Sequence, residues 1–131
     1  MKLLIVDDEP VARQVLRQIL SAQPEHQLTL AEDGAQAWAL LDDPSRYFDI
    51  VFLDLSMPEP GGLEIVRRLR ESPLHKSVQI VLCTASKDRE TVTKAVQLGV
   101  RHYIVKPCAA SVVMAKLQQI KAAMVPFAAS R

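Results

Sequence analysis

The sequence predicts an α/β domain built on a five-stranded parallel sheet, and two observations carry that prediction. Five short apolar runs rich in β-branched residues punctuate the chain, at residues 3–6, 28–30, 50–53, 78–83 and 102–105. Most are continuously apolar rather than alternating, as expected of strands buried on both faces. Helical periodicity fills the intervals between them. Strand and helix therefore alternate five times, the pattern of parallel strands joined by helical crossovers.

The elements follow in order. After the first strand, Pro10 suits the opening turn of a helix, where its missing N–H costs nothing. Ala12, Val15, Leu16, Ile19 and Leu20 recur on one face of that helix, with Arg13, Gln14, Arg17 and Gln18 opposite. Glu32 and Asp33 follow the second strand and read as a turn and helix cap. The helix they start carries Ala37, Leu40 and Leu41 inward and ends before Pro44. A third helix contains Ile65, Val66 and Leu69 and stops ahead of Pro73. The fourth carries Val92, Ala95 and Val96 inward and closes at Gly99, a residue that tolerates the left-handed conformation favoured at helix ends. The fifth uses Val113, Leu117, Ile120 and Met124, after which Pro126 is expected to begin a short tail. One domain over residues 1–124 is expected, with 125–131 a tail or the start of a linker.

Composition narrows the classes of function. A chain of 131 residues that is 49% hydrophobic and 24% charged has the balance of one globular domain. Sixteen Lys and Arg against fifteen Asp and Glu leave a charge of +1, which argues against direct nucleic-acid binding through a broad basic face. No apolar run approaches the ~18 residues of a membrane span. The apolar start at Met1 is cut off by Asp7, Asp8 and Glu9, short of the ~7–15-residue core of a signal peptide. Two cysteines, Cys83 and Cys108, make no disulfide framework. A cytoplasmic location is expected. Cys83 reads as a small buried apolar residue; a redox pair with Cys108 is the competing reading, since their strands should be neighbours.

In an open α/β sheet, ligands bind outside the carboxyl ends of the strands, and there the unusual residues fall. Asp7, Asp8 and Glu9 follow the first strand, Asp54 the third, Thr84 the fourth, and Lys106-Pro107 the fifth. Bringing Asp7, Asp8 and Asp54 together is unfavourable. Each pair at roughly 4 Å repels by about 4 kcal/mol at an effective dielectric near 20. Lys106 supplies one positive charge but no oxygen coordination. A hard divalent cation supplies what is missing, and Mg²⁺ keeps positions open for phosphate oxygens. The chemistry points to a Mg²⁺ site that handles a phosphoryl group. Other phosphate sites are excluded: the first turn is Asp-Asp-Glu-Pro rather than glycine-rich, and no P-loop is present. No serine sits in a G-x-S-x-G elbow, and His26, His75 and His102 lack zinc-ligand spacing.

Four stretches taken together resemble the receiver domain of two-component response regulators. They are residues 4–9 (Leu-Ile-Val-Asp-Asp-Glu), 54–58 (Asp-Leu-Ser-Met-Pro) with Gly62, 81–85 (Val-Leu-Cys-Thr-Ala) and 103–107 (Tyr-Ile-Val-Lys-Pro). The resemblance covers residues 1 to about 124 and implies a doubly wound, flavodoxin-like sheet in the order 2-1-3-4-5 flanked by five helices. It also implies that Asp54 accepts a phosphoryl group from a phosphohistidine on a sensor histidine kinase or phosphotransfer protein. Asp8, Asp54 and the Ser56 backbone carbonyl would hold Mg²⁺, or Mn²⁺ in its place, with Asp7 acting through water. Lys106 would pair with the phosphoryl oxygens, Thr84 would bond one of them, and Ala85 would leave them space. Tyr103 would turn inward and alter the face built from the fourth helix, fifth strand and fifth helix. That change would be read by a downstream protein or a missing output domain, or would drive a phosphorylation-dependent homodimer. The Lys106–Pro107 bond would be cis.

This sequence departs from the family pattern at Cys108, where Phe is common, and at Gly61, where an acidic or polar residue is frequent. Ser56 and Ser86 border the path of hydrolytic water in the family; both are small, which predicts an acyl phosphate of unexceptional lifetime. The expected protein is a regulatory phosphoacceptor with weak self-catalysed phosphorylation and dephosphorylation, not a metabolic enzyme. Two other classes compete. A Mg²⁺-dependent aspartyl phosphohydrolase would share fold and metal, but its Asp-x-Asp pattern after the first strand is replaced here by adjacent acids. A phosphorylation-independent interaction module would be expected to have lost Asp54, Lys106 or the acidic pair.

Overall fold

The computed structural model describes residues 1–75, 77–85 and 89–129, with backbone alone at Leu74 and residues 125–129. Its elements are β1 (Lys2–Val6), α1 (Pro10–Ser21), β2 (Gln27–Ala31), α2 (Gly34–Leu41), β3 (Ile50–Asp54), α3 (Gly62–Glu71), β4 (Gln79–Thr84), α4 (Arg89–Gln97), β5 (His102–Val105) and α5 (Ala110–Ala129). A 3₁₀ turn over Pro73–His75, which periodicity does not reveal, leads into β4. All strand pairings are parallel, in the order β2-β1-β3-β4-β5.

Alternation along the strands creates two cores. On one face, Leu4, Val6, Val51, Leu53, Ile80 and Leu82 pack under α2, α3 and α4, against Ala37, Leu41, Ile65, Val66, Leu69 and Ala95. On the other, Leu3, Ile5, Ile50, Phe52, Val81 and Ile104 meet Leu16 and Leu20 of α1 and Val113, Leu117 and Ile120 of α5. Each fully buried Leu, Ile or Phe contributes about 1.5–3 kcal/mol of transfer free energy. The chain steps from β1 outward to β2, then crosses β1 to enter β3. The strand order reverses between β1 and β3, so a crevice opens beyond their carboxyl ends.

Local chemistry sets the boundaries. Pro10 opens α1, and Asp33 caps α2 by accepting a hydrogen bond from the Gln36 N–H at 2.8 Å. Gly99 adopts φ +92° after α4, a conformation that other residues reach only with strain. Gly62 lets α3 approach β3, since a Cβ there would lie 2.3 Å from the Asp54 carbonyl oxygen.

Several expectations need correction. β5 is an edge strand, so Tyr103 and Val105 are exposed rather than buried on both faces. On α1, Leu16 and Leu20 are buried while Val15 is 40% exposed, because the sheet covers a stripe narrower than the apolar one. α4 buries only Ala95, with Val92 partly buried, and Val96 is 54% exposed. Nor does α5 stop at Met124. It continues through Pro126 to Ala129: the loss of the proline's amide donor and the crowding of its ring do not end the helix, and the surrounding alanines favour it. Met124 is 40% exposed rather than part of the core. Among the described residues, no helix is long and apolar enough to cross a membrane.

Candidate functional site

Four strand ends deliver the site. Val6 of β1 pairs with Leu53 of β3, so Asp7 and Asp54 leave the sheet side by side. Thr84 pairs with Val105, and the Lys106 N–H donates to the Thr84 carbonyl at 2.8 Å, which carries Lys106 over the same crevice. The Glu59–Pro60 and Lys106–Pro107 peptide bonds are both cis. Two hydrogen bonds shape the β1–α1 turn: the Glu9 N–H donates to Asp7 Oδ1 at 2.9 Å, and Arg13 Nη1 donates to the Asp7 carbonyl at 2.8 Å. The Ser56 N–H likewise donates to Asp54 Oδ1 at 3.0 Å.

Carboxylate oxygens of Asp7, Asp8, Glu9 and Asp54 all lie within 4.8 Å of one another. Asp7 and Asp54 are buried, at 4% and 1% exposure, while Asp8 and Glu9 face solvent. Lys106 Nζ is shared among three of these acids, 2.9 Å from Asp7 Oδ2, 3.4 Å from Asp54 Oδ2 and 3.4 Å from Glu9 Oε1. Burial raises the Asp54 pKa; the Ser56 N–H bond opposes that rise, Asp7 adds to it and Lys106 opposes it, and the result is about 6. Burial also works against the Lys106 charge, but the hydrogen bond to Asp7 and the fields of Asp54, Asp7 and Glu9 outweigh it. Its pKa is held above that of a free lysine.

Four acids thus cluster with a single lysine, which pairs with three of them. Each pair of carboxylates at this spacing repels by ~3 kcal/mol at an effective dielectric near 20. Among the described residues, Asp54 Oδ2 accepts no hydrogen bond although it is buried. A buried, under-satisfied carboxylate oxygen in an acidic cluster fits a hard, oxygen-seeking divalent cation. The oxygen-only donor set does not favour a soft or tetrahedral metal.

The structure brings Asp7, Asp8, Asp54 and Lys106 into one cluster. Thr84 is buried beside it, its hydroxyl donating to the Ala85 carbonyl at 3.2 Å. Tyr103 is outside the cluster and 49% exposed. It lines a cavity of about 390 Å³ with Thr84, Ala85, Arg89, Val92, Thr93 and Val105. Ser86 lies outside the described residues. Sequence reasoning gave Glu9 no role beyond its place in an acidic run, yet it joins both the carboxylate cluster and the lysine. Arg13, six residues after Asp7, belongs by periodicity to the polar face of α1; no spacing rule marks a side chain that bonds a strand-end carbonyl.

Comparison with known proteins agrees with this geometry. Residues 3–118 match the family model described as response regulator receiver domain. The chain is similar to chemotaxis protein CheY1 of Helicobacter pylori strain 26695, at 33% identity over 120 residues that cover 92% of this chain and 96% of the relative. It is also similar to chemotaxis protein CheY of Pseudomonas aeruginosa PAO1, at 32% identity with 92% and 95% coverage. Among solved structures, the chemotaxis response regulator CheY4 of Vibrio cholerae superposes with a TM-score of 0.81 at 27% identity, covering 91% of this chain and 97% of that one. A match spanning nearly every strand and helix, relatives covered over at least 95% of their length and a shared fold lead to one assignment: the chain belongs to the response regulator receiver domain family.

Proposed function

We propose that this receiver is a phosphorylation-activated signalling switch whose phosphoacceptor is Asp54. The observation that carries the reading is the buried Asp54 Oδ2, which receives no hydrogen bond among the described residues and has Lys106 Nζ at 3.4 Å. With a pKa of about 6, the carboxyl is largely ionised at neutral pH and available as a nucleophile. An Asp54 oxygen lone pair forms the O–P bond while the P–N bond of a phosphohistidine breaks, and the electron pair leaves with the imidazole nitrogen. Catalysis of such a transfer rests on positioning and charge neutralisation.

Asp8, Asp54 and the Ser56 carbonyl would hold Mg²⁺ or Mn²⁺, with Asp7 acting through water; the bound ion would offset the carboxylate repulsion and the charge of the incoming phosphoryl oxygens. Lys106 exchanges its contact with Asp54 for a phosphoryl oxygen. The Thr84 hydroxyl turns from the Ala85 carbonyl to another, and the small Ala85 leaves room for it. Tyr103 then enters the cavity beside Thr84. The transition is a population shift, because the phosphoryl group gains contacts with Thr84 and Lys106 only in the switched state.

The donor is a sensor histidine kinase or a phosphotransfer protein. Val96, Tyr103, Val105 and Val112 are exposed on α4, β5 and α5, and this apolar face suits a downstream protein, an output domain or a second copy. Exposed Ser56 leaves water an approach to the acyl phosphate, so its lifetime would be unexceptional. The action is cytoplasmic and stoichiometric, one phosphoryl group per chain.

Intact-mass measurement after incubation with acetyl phosphate and Mg²⁺ tests this. The wild type should gain one phosphoryl group and Asp54→Asn none. Lys106→Ala should react roughly ten- to a hundredfold more slowly, the kinetic equivalent of losing one charged hydrogen bond. Equal modification of wild type and Asp54→Asn would remove the assignment.

A further inference from the structure

The two cysteines, both free, lie together beside the site and are not used by it. Cys83 is on β4 one residue before Thr84, paired with Asp54 on one side and Ile104 on the other. Its side chain is buried under α1 and α5. Cys108, two residues beyond Lys106, is partly exposed and packs against the same cluster. Both line one open cavity of about 420 Å³, whose walls include Asp7, Val15, Lys106 and Pro107. Their side chains therefore share one cavity wall and one apolar cluster.

We propose that Cys83 and Cys108 form a reactive dithiol, which a low-molecular-weight disulfide oxidises to an intramolecular bridge with Cys108 attacking and Cys83 resolving. The roles follow from access: Cys108 is partly exposed and can meet a disulfide, whereas Cys83 is buried in the wall of the same cavity. In the first step, the Cys108 sulfur, having released its proton, attacks one sulfur of the oxidant. A mixed disulfide forms and one thiolate leaves. In the second, the Cys83 sulfur attacks the Cys108 sulfur and expels the other thiolate. The protein loses two electrons and two protons, and the oxidant is reduced to two thiols. In a reducing compartment such a bridge would be transient, as redox-sensing disulfides are. It would tether the loop carrying Lys106 to the strand carrying Thr84. That consequence for signalling rests on the proposed role of Asp54; the bridge itself does not.

The test is to incubate the reduced wild-type chain with excess oxidised glutathione, then read intact mass and a non-reducing peptide map. The expected product is lighter by two hydrogens, holds no glutathione and contains one peptide pair joined through Cys83 and Cys108. Cys83→Ala should stop at a single glutathione adduct on Cys108, and Cys108→Ala should remain unmodified while folded. A wild type that keeps both thiols, or that stops at a mixed disulfide, would overturn the proposal; neither result depends on a variant folding or on phosphorylation of Asp54.

Discussion

Asp54 is held in an environment that opposes its charge, and the consequence is measurable. In the unfolded chain its pKa is near 3.8; in the folded chain burial, chiefly, raises it to about 6. The folded state therefore binds the proton more tightly, and stability falls as pH rises between those two values and is level above them. Two pH units correspond to at most about 3 kcal/mol. In chelator at pH 7.5, Asp54→Asn should stabilise the protein by about 1–3 kcal/mol in urea unfolding and should flatten the loss between pH 4 and 6. A destabilised Asn variant would contradict the electrostatic account. Glu9→Gln removes one acid from the cluster but leaves Asp7 and Asp54 paired with Lys106. It should weaken Mg²⁺ binding severalfold without abolishing it, as followed by calorimetry.

At the scale of elements, α3 must lie close to β3 for the Asp54 loop to keep its shape. Gly62→Ala would place a methyl group 2.3 Å from the Asp54 carbonyl oxygen. It should destabilise the fold by about 1–3 kcal/mol in urea, the usual cost of overpacking. Leu117→Ala, in the core under α5, should cost about 2–5 kcal/mol without changing the stoichiometry of phosphorylation. The elements were legible where the chain marks its own boundaries: Pro10, Asp33 and Gly99 act by local backbone chemistry, which sequence displays. Strand ends bearing Asp7, Asp54, Thr84 and Lys106 were legible for the same reason, since a polar residue after an apolar run ends a buried strand. The width of each buried stripe was not. Val15, Val96 and Met124 belong to apolar periodic faces, but their burial depends on how far a neighbouring element reaches. Pro126 disfavours helix through its ring and missing amide, yet α5 runs through it with alanines on either side. Glu9 was overlooked because its part depends on where Lys106 arrives from the far end of the chain.

For the whole molecule, the reversal of strand order between β1 and β3 is the feature on which the site depends. It gathers carboxylates from separate segments at one end of the sheet, where they repel one another. Saturating Mg²⁺ should therefore raise stability, by about 2.7 kcal/mol at a hundred times its dissociation constant, and the gain should vanish in Asp8→Asn. A gain retained in that variant would place the ion elsewhere. The most direct measurement of the central claim identifies the phosphorylated atom's own residue. After loading with acetyl phosphate and Mg²⁺, borohydride reduction converts an aspartyl phosphate to homoserine, which peptide mass spectrometry locates. The account predicts homoserine at position 54 alone; homoserine at position 7 or 8, or phosphate retained on a hydroxyl side chain, would contradict it.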